Sequence, residues 1–333
     1  MRLRFAVAFF ILVGADPAAA ADAIRLGLPV ECKMGTVCFI QNYVDQDPSS
    51  AETDYRCNSL SYNGHKGSDF RLRDFVDMQR GVAVIAAAAG TVRATRDTMP
   101  DVSVRQVGVA ALLGNDAGNG VLIDHEDGWQ TQYSHLRRRS IAVKAGLRVK
   151  RGQRLGLIGL SGKTEFPHLH LSVRLNGKVV DPFTGLAAPG GCEAKGTPLW
   201  RDDVSGAVAY LPSTVLVAGF ADHQLPHSAA QHGLYPRKKI AANAAAVVFW
   251  IEVMGPQSGD REEFRLVGPD GKILFEKVET LKKVQAVRYR LGGIKRKGTV
   301  LRAGRYVGEY RLLRLRDGQM VPAAETSRTI QVQ

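Results

Sequence analysis

Between residues 62 and 182 the chain is written in short β-rich runs cut by glycine, a punctuation that favours sheet. Val82-Ala83-Val84-Ile85 and Gly90-Thr91-Val92 read as strands. Val121-Leu122-Ile123-Asp124-His125 and Gln130-Thr131-Gln132-Tyr133 flank Glu126-Asp127-Gly128. Asp-Gly is a hairpin signal, because the favoured two-residue turn needs φ > 0 at its centre. Asn176-Gly177 repeats the device after Leu171-Ser172-Val173-Arg174-Leu175. Long helical periodicity is absent here. The polar, glycine-containing stretch from Arg96 to Asn119 is expected as a loop bordering a cleft.

Pro189-Gly190-Gly191 and Gly196-Thr197-Pro198 break the pattern, and a second set of strands follows Trp200. Val247 to Val253, Phe264 to Val267, Ile273 to Phe275 and Tyr306 to Leu312 fit short strands with turn signals between them. The expected fold is therefore all-β dominated. A cysteine-bearing lead-in at 22–61 precedes a compact antiparallel β-sheet domain at 62–192. A linker at 193–240 leads to an immunoglobulin-like β-sandwich at 241–333.

The 333 residues suffice for two such domains, each burying its own core. Met1-Arg2-Leu3-Arg4 is basic, an apolar run from Phe5 to about Ala15 follows, and Ala18 to Ala21 offer small residues for cleavage before Asp22. That order reads as a secretory signal peptide at 1–21, since the run falls short of the roughly 20 residues a spanning helix needs. All four cysteines lie beyond it. An even count in an exported chain favours disulfides, and four cysteines allow three pairings. The preferred pairing is Cys32 with Cys38 and Cys57 with Cys192; a cysteine zinc site would want tight CxxC pairs.

Chemistry concentrates in two places. His168 and His170 are two apart on an extended segment, so they share one face. About a hundred residues upstream, His65 and Asp69 stand four apart with Gly67 between them. His65, Asp69 and His170 would together offer three nitrogen and oxygen ligands of the kind a catalytic zinc uses, with a fourth position open. His223, His227 and His232 have neither a cysteine pattern nor a carboxylate cluster beside them and read as an ordinary linker loop.

The order and spacing of these pieces resemble the M23 (LytM or lysostaphin-type) zinc peptidases, which cut peptidoglycan peptides. The resemblance runs through His65-x-Gly67-x-Asp69, Gly118-Asn119-Gly120-Val121-Leu122-Ile123-Asp124-His125 and Tyr133-Ser134-His135-Leu136. It continues through Val149 to Gly162 and closes on Pro167-His168-Leu169-His170 and Val180-Asp181-Pro182. It covers roughly residues 55 to 185. It implies one Zn²⁺ per chain held by His65, Asp69 and His170, with His135 and His168 at the catalytic positions. Which of these two is base and which electrophile stays open, as does the bond cut. His125 is expected to be structural. Phe166, where the family usually has a small, glycine-containing stretch, and the segment Asp54 to Cys57 depart from the pattern and bear on substrate preference.

The formal charge is +13 for the whole chain, and loss of Arg2, Arg4 and Asp16 with the leader leaves about +12. Such an excess attracts polyanions. Export argues against nucleic acid, whereas peptidoglycan carboxylates and anionic envelope components fit the periplasm or cell envelope. The C-terminal module, which has no nucleophile or ligand cluster, is expected to position the enzyme. A catalytically silent cell-wall binding or hydrolase-activating protein on the same fold is the alternative, although no member of the ligand set is missing.

Overall fold

The computed structural model describes residues 23–234, 238–298 and 300–333. The expected signal peptide at 1–21 lies outside them. The first half carries β1 (Cys38–Asn42), β2 (Ser68–Leu72), β3 (Ala83–Ile85), β4 (Gly90–Arg96), β5 (Asn119–Asp124), β6 (Trp129–Leu136), β7 (Arg148–Val149), β8 (Arg154–Leu157), β9 (His168–Leu175) and β10 (Lys178–Val180). Their main sheet has the order β1-β2-β9-β6-β5-β4-β7, with β10 pairing the end of β9 on the edge that β2 also uses, and β3 paired with β8 as a separate ribbon. Neighbours in the main sheet run antiparallel. Both turn signals are used: the Asp127-Gly128 corner joins β5 to β6, and Asn176-Gly177 joins β9 to β10.

β9 shows how sequence becomes a two-sided surface. Leu169, Leu171 and Val173 are buried in the core with Phe70, Ile123 and Tyr133. The alternate residues His168, His170, Ser172 and Arg174 line a groove on the opposite face. Each fully buried aliphatic side chain contributes roughly 1.5–3 kcal/mol, so a one-residue slip would expose the leucines and bury the histidines. Register here is fixed by hydrophobicity, and the polar row follows from it.

The lead-in is tied down by two disulfides, Cys32–Cys38 and Cys57–Cys192. The second closes a separation of 135 residues and ties the start of the sheet region to its end.

The second half holds β11 (Thr214–Ala221), β12 (Lys239–Ile240), β13 (Ala246–Met254), β14 (Arg261–Val267), β15 (Ile273–Thr280), β16 (Val287–Lys295), β17 (Gly304–Arg316) and β18 (Gln319–Val332). Sheets β11-β13-β16 and β12-β18-β17-β14-β15 face each other across Phe249, Ile251, Phe264, Tyr306, Tyr310 and Ile330. That is a β-sandwich. β13 is buried along its whole length. Val247, Phe249, Ile251 and Val253 enter the sandwich core, while Ala246, Val248 and Trp250 pack on Leu225 and Ala230 from the short helix region outside it. A strand covered on both faces reads as a continuous apolar run.

The stretch 193–240 is used by both halves. Leu199, Trp200 and Val208 belong to the first core, and β11 pairs along seven residues of β13. Its strand signal was obscured by the Pro-Gly breaks just upstream. The halves also meet directly. Phe39, Leu216 and Met254 form a shared apolar cluster.

Candidate active site

The pairing of β2 with β9 sets Asp69 opposite His170. His65 precedes β2 in a turn whose approach leaves no room at Gly67, where an added Cβ would sit 2.6 Å from His170 Nε2 and 2.5 Å from the Leu171 carbonyl oxygen. The glycine of the His-x-Gly-x-Asp motif is therefore steric. His65 Nε2 lies 3.1 Å from His170 Nδ1 and 3.2 Å from Asp69 Oδ1, and His170 Nδ1 lies 2.8 Å from Asp69 Oδ1. Among the described residues these three form the group with ligand atoms all within 4.8 Å of one another. Donors about 2.0–2.1 Å from a tetrahedral Zn²⁺ stand about 3.3 Å apart, so the set fits such an ion closely.

Neighbouring acceptors point each ring. His65 Nδ1 is 2.7 Å from the Tyr43 carbonyl oxygen. A carbonyl only accepts, so Nδ1 carries the hydrogen, and the neutral ring offers a lone pair at Nε2. Ser172 Oγ donates to the Lys66 carbonyl and must accept from His170 Nε2, 3.0 Å away, which leaves Nδ1 of that ring open. Asn42 Nδ2 donates to Asp69 Oδ2 at 3.0 Å. Such partners fix tautomer and orientation before a metal arrives. Burial works against the charge on Asp69, but the imidazoles of His65, His168 and His170 hold its carboxyl well below the usual range.

His135 and His168 stand beside this set, their ring centroids 4.7 Å apart. His135 Nδ1 donates to the Ser161 carbonyl at 2.8 Å, and His168 Nδ1 to the Phe166 carbonyl at 2.9 Å. Both rings thus show Nε2 as the acceptor, and His168 Nε2 lies 3.5 Å from Asp69 Oδ1. Burial first, then the neighbouring histidines, pushes His135 well below its ordinary value, so it is neutral at neutral pH. His135 has φ of 63°, a left-handed backbone that costs a non-glycine residue about 1–3 kcal/mol. Its N–H donates to the Ala117 carbonyl and its ring to Ser161, which holds it there. The structure brings all five residues singled out in the sequence into one groove of about 740 Å³.

The groove wall reaches into the second half of the chain. Phe166 stacks on His168 at 4.6 Å, and the Arg71 guanidinium lies over the Phe166 ring at 4.9 Å. Arg71 is buried and reaches Glu252 of β13 at 3.4 Å. Ala286, before β16, also lines the groove. Val104, Asp116 and Ala117 from the stretch Arg96 to Asn119 border it as well.

His125 lies apart from the cluster, with Nδ1 on the Ala89 carbonyl and Nε2 on Thr131 Oγ1. His223 pairs with Asp222, His227 reaches Glu252, and His232 stacks on Phe75. Sequence reasoning missed Asn42, the Tyr43 carbonyl, Ser172 and Arg71. Ser172 alone left a signal, standing two residues beyond His170 on the same face.

The model of peptidase family M23 matches residues 63–182. A Haemophilus influenzae protein described as an uncharacterized metalloprotease is 36% identical over 120 residues, which is 36% of this chain and 20% of that protein. The peptidoglycan DD-endopeptidase ShyA of Vibrio cholerae is 42% identical over 76 residues, 22% of this chain and 17% of that one. The matched stretch thus spans a fifth or less of these relatives' length. Among solved structures, a zinc-containing peptidase from Vibrio cholerae is 26% identical, covers 44% of this chain and 39% of its own, and has a TM-score of 0.28. Residues 63–182 of this chain are a peptidase family M23 domain.

Proposed function

We propose that the protein is an exported zinc-dependent endopeptidase that hydrolyses peptide bonds in peptidoglycan stems or cross-links. The observation that carries this reading is the aim of the rings: four imidazoles are each pinned at one nitrogen, and the other nitrogens converge with Asp69 on one groove. His65, Asp69 and His170 would hold the ion. Zn²⁺ held there supplies Lewis acidity, which polarises a peptide carbonyl and lowers the pKa of a water.

His135 and His168 do the proton work. Each presents Nε2 as an acceptor in the resting state, so either can take the proton of the attacking water. The ring that does so becomes a donor and can return that proton to the leaving amine. Burial in the groove keeps bulk water from competing for these nitrogens. The two disulfides fit an oxidising compartment, and none of the described helices is long and apolar enough to cross a membrane. The name of the ShyA relative supports peptidoglycan as substrate.

The test is digestion of purified sacculi by the mature protein, followed by mass analysis of released muropeptides. Hydrolysis that stops in chelator and returns with added zinc is expected. A protein that carries one zinc and releases nothing would overturn the endopeptidase reading in favour of a wall-binding role.

A further inference from the structure

The face of β9 that carries His168 and His170 continues through Ser172 to Arg174, and all four line the groove. Alternate residues share a face, so Arg174 stands about 13 Å along the strand from His170 at about 3.3 Å per residue. Its setting is unusual for a half-buried cation. Nη1 donates to Gln132 Oε1 at 2.9 Å, and no carboxylate lies within 4 Å of the guanidinium among the described residues. In the sandwich, by contrast, Arg288, Arg290 and Arg314 each meet a glutamate or aspartate. Burial lowers the pKa of Arg174, with no acid to offset it.

Gln132 is itself held, its Nε2 donating to Ser134 Oγ at 3.1 Å, so its carbonyl end is turned to the arginine. A guanidinium has five N–H donors in a rigid fork that matches a carboxylate in two-point fashion. Gln132 uses one of them. The rest of the fork is left at the groove, and Lys66 and Lys163 add positive charge to a lining whose other acids besides Asp69 are Asp116 and Glu165.

We propose that Arg174, oriented by Gln132, is a subsite for a carboxylate of the substrate, so that the cleft selects peptides bearing a free carboxyl group at a set distance from the scissile bond. This rests on the reading of the cleft as a peptidase site. The carboxylate can be a chain-terminal one or a side-chain one, since the guanidinium recognises the same two oxygens in either.

The experiment uses the full mature chain loaded with zinc and a defined cross-linked stem peptide in three forms: free acid, amidated at the chain terminus, and amidated on the side-chain carboxyl. Binding and kcat/KM are both measured for wild type, Arg174→Ala and Arg174→Lys. One amidation is expected to weaken wild-type binding and kcat/KM by about 10- to 100-fold, the range for a charge-assisted hydrogen bond, and the form that suffers names the carboxylate. Arg174→Ala should bring the free acid down to the amide's level with zinc content unchanged. Arg174→Lys should keep part of the gap, because it keeps the charge without the fork. A merely structural arginine would weaken all three peptides alike and leave the gap standing, which overturns the proposal. Equal treatment of the three peptides by a wild type that cleaves them overturns it too, while the peptidase reading survives. Discrimination in binding without cleavage of any form sustains the subsite and sinks the peptidase reading. Neither binding nor cleavage ends both.

Discussion

In the sandwich, buried Asp260 receives two hydrogen bonds from Arg314, at 2.8 and 2.7 Å, and Glu262 receives two from Arg288, at 3.0 and 2.9 Å. In the first sheet, equally buried Asp69 faces three imidazoles and an asparagine amide, with no arginine or lysine within 4 Å among the described residues. Asp260 and Glu262 are thus cancelled by arginines of the sandwich itself. The sheet keeps one carboxylate and several nitrogen lone pairs aimed at a shared point, a set of acceptors that a bound cation would stabilise. Internal pairing marks a structural role, and convergence on a groove marks a chemical one.

The sharpest way to break that contrast is to remove a group from each side. His170→Ala or Asp69→Ala should reduce bound zinc from about one per chain to a small fraction and take hydrolysis to background. The melting temperature of the metal-free protein should hold or rise, as expected where a site is strained for function. Elemental analysis beside a thermal melt reads both, and full activity in either variant would undo the ligand assignment. Next in size, His135→Ala should leave zinc bound and cut turnover by about 10²- to 10⁴-fold. Loss of zinc in that variant would move His135 into the ligand set.

On the other side, Arg314→Met leaves Asp260 buried without its cation and should cost about 3–5 kcal/mol of stability. Chemical denaturation measures it, and kcat should not change below the melting point. A fall in kcat with stability intact would show that the two regions are not divided as described. Replacing Cys57 and Cys192 together by serine should cost about 2–5 kcal/mol through the released 135-residue separation. The smallest effect belongs to exposed pairs. Lys272→Ala, which loses a 3.9 Å contact to Asp270, should change stability by less than about 1 kcal/mol and activity not at all.

The first sheet was legible because its signals are local. Asp127-Gly128 and Asn176-Gly177 mark their own turns, and an HxH pair on a strand declares its face. The groups that aim those histidines were not legible, because the Tyr43, Ser161 and Phe166 carbonyls are backbone atoms that every residue carries. Only the fold decides which of them meets a ring. The sandwich was read less completely. β18 runs fourteen residues, Gln319 to Val332, with most of them exposed or half-buried, so its sequence lacks the apolar alternation that betrays a strand. β16 was missed for a similar reason, as Arg288 and Arg290 face the acids of the opposite sheet and interrupt the pattern. Glu252 was the exception visible in an apolar run. What it answered, Arg71 in the other half, lies 181 positions away.

That one contact limits how the protein can be taken apart. Glu252 holds Arg71, Arg71 lies against Phe166, and Phe166 stacks on His168. A hydrolase built as a cutting head on a tether can have its anchor exchanged for another with the head unaffected. Here the C-terminal half supplies part of the wall of the groove that holds the five candidate site residues. Grafting residues 63–182 onto a foreign targeting module would leave Arg71 as an unmatched buried cation behind the groove. A working chimera would need the graft line drawn inside the sandwich, beyond β13, or Arg71 replaced along with the anchor.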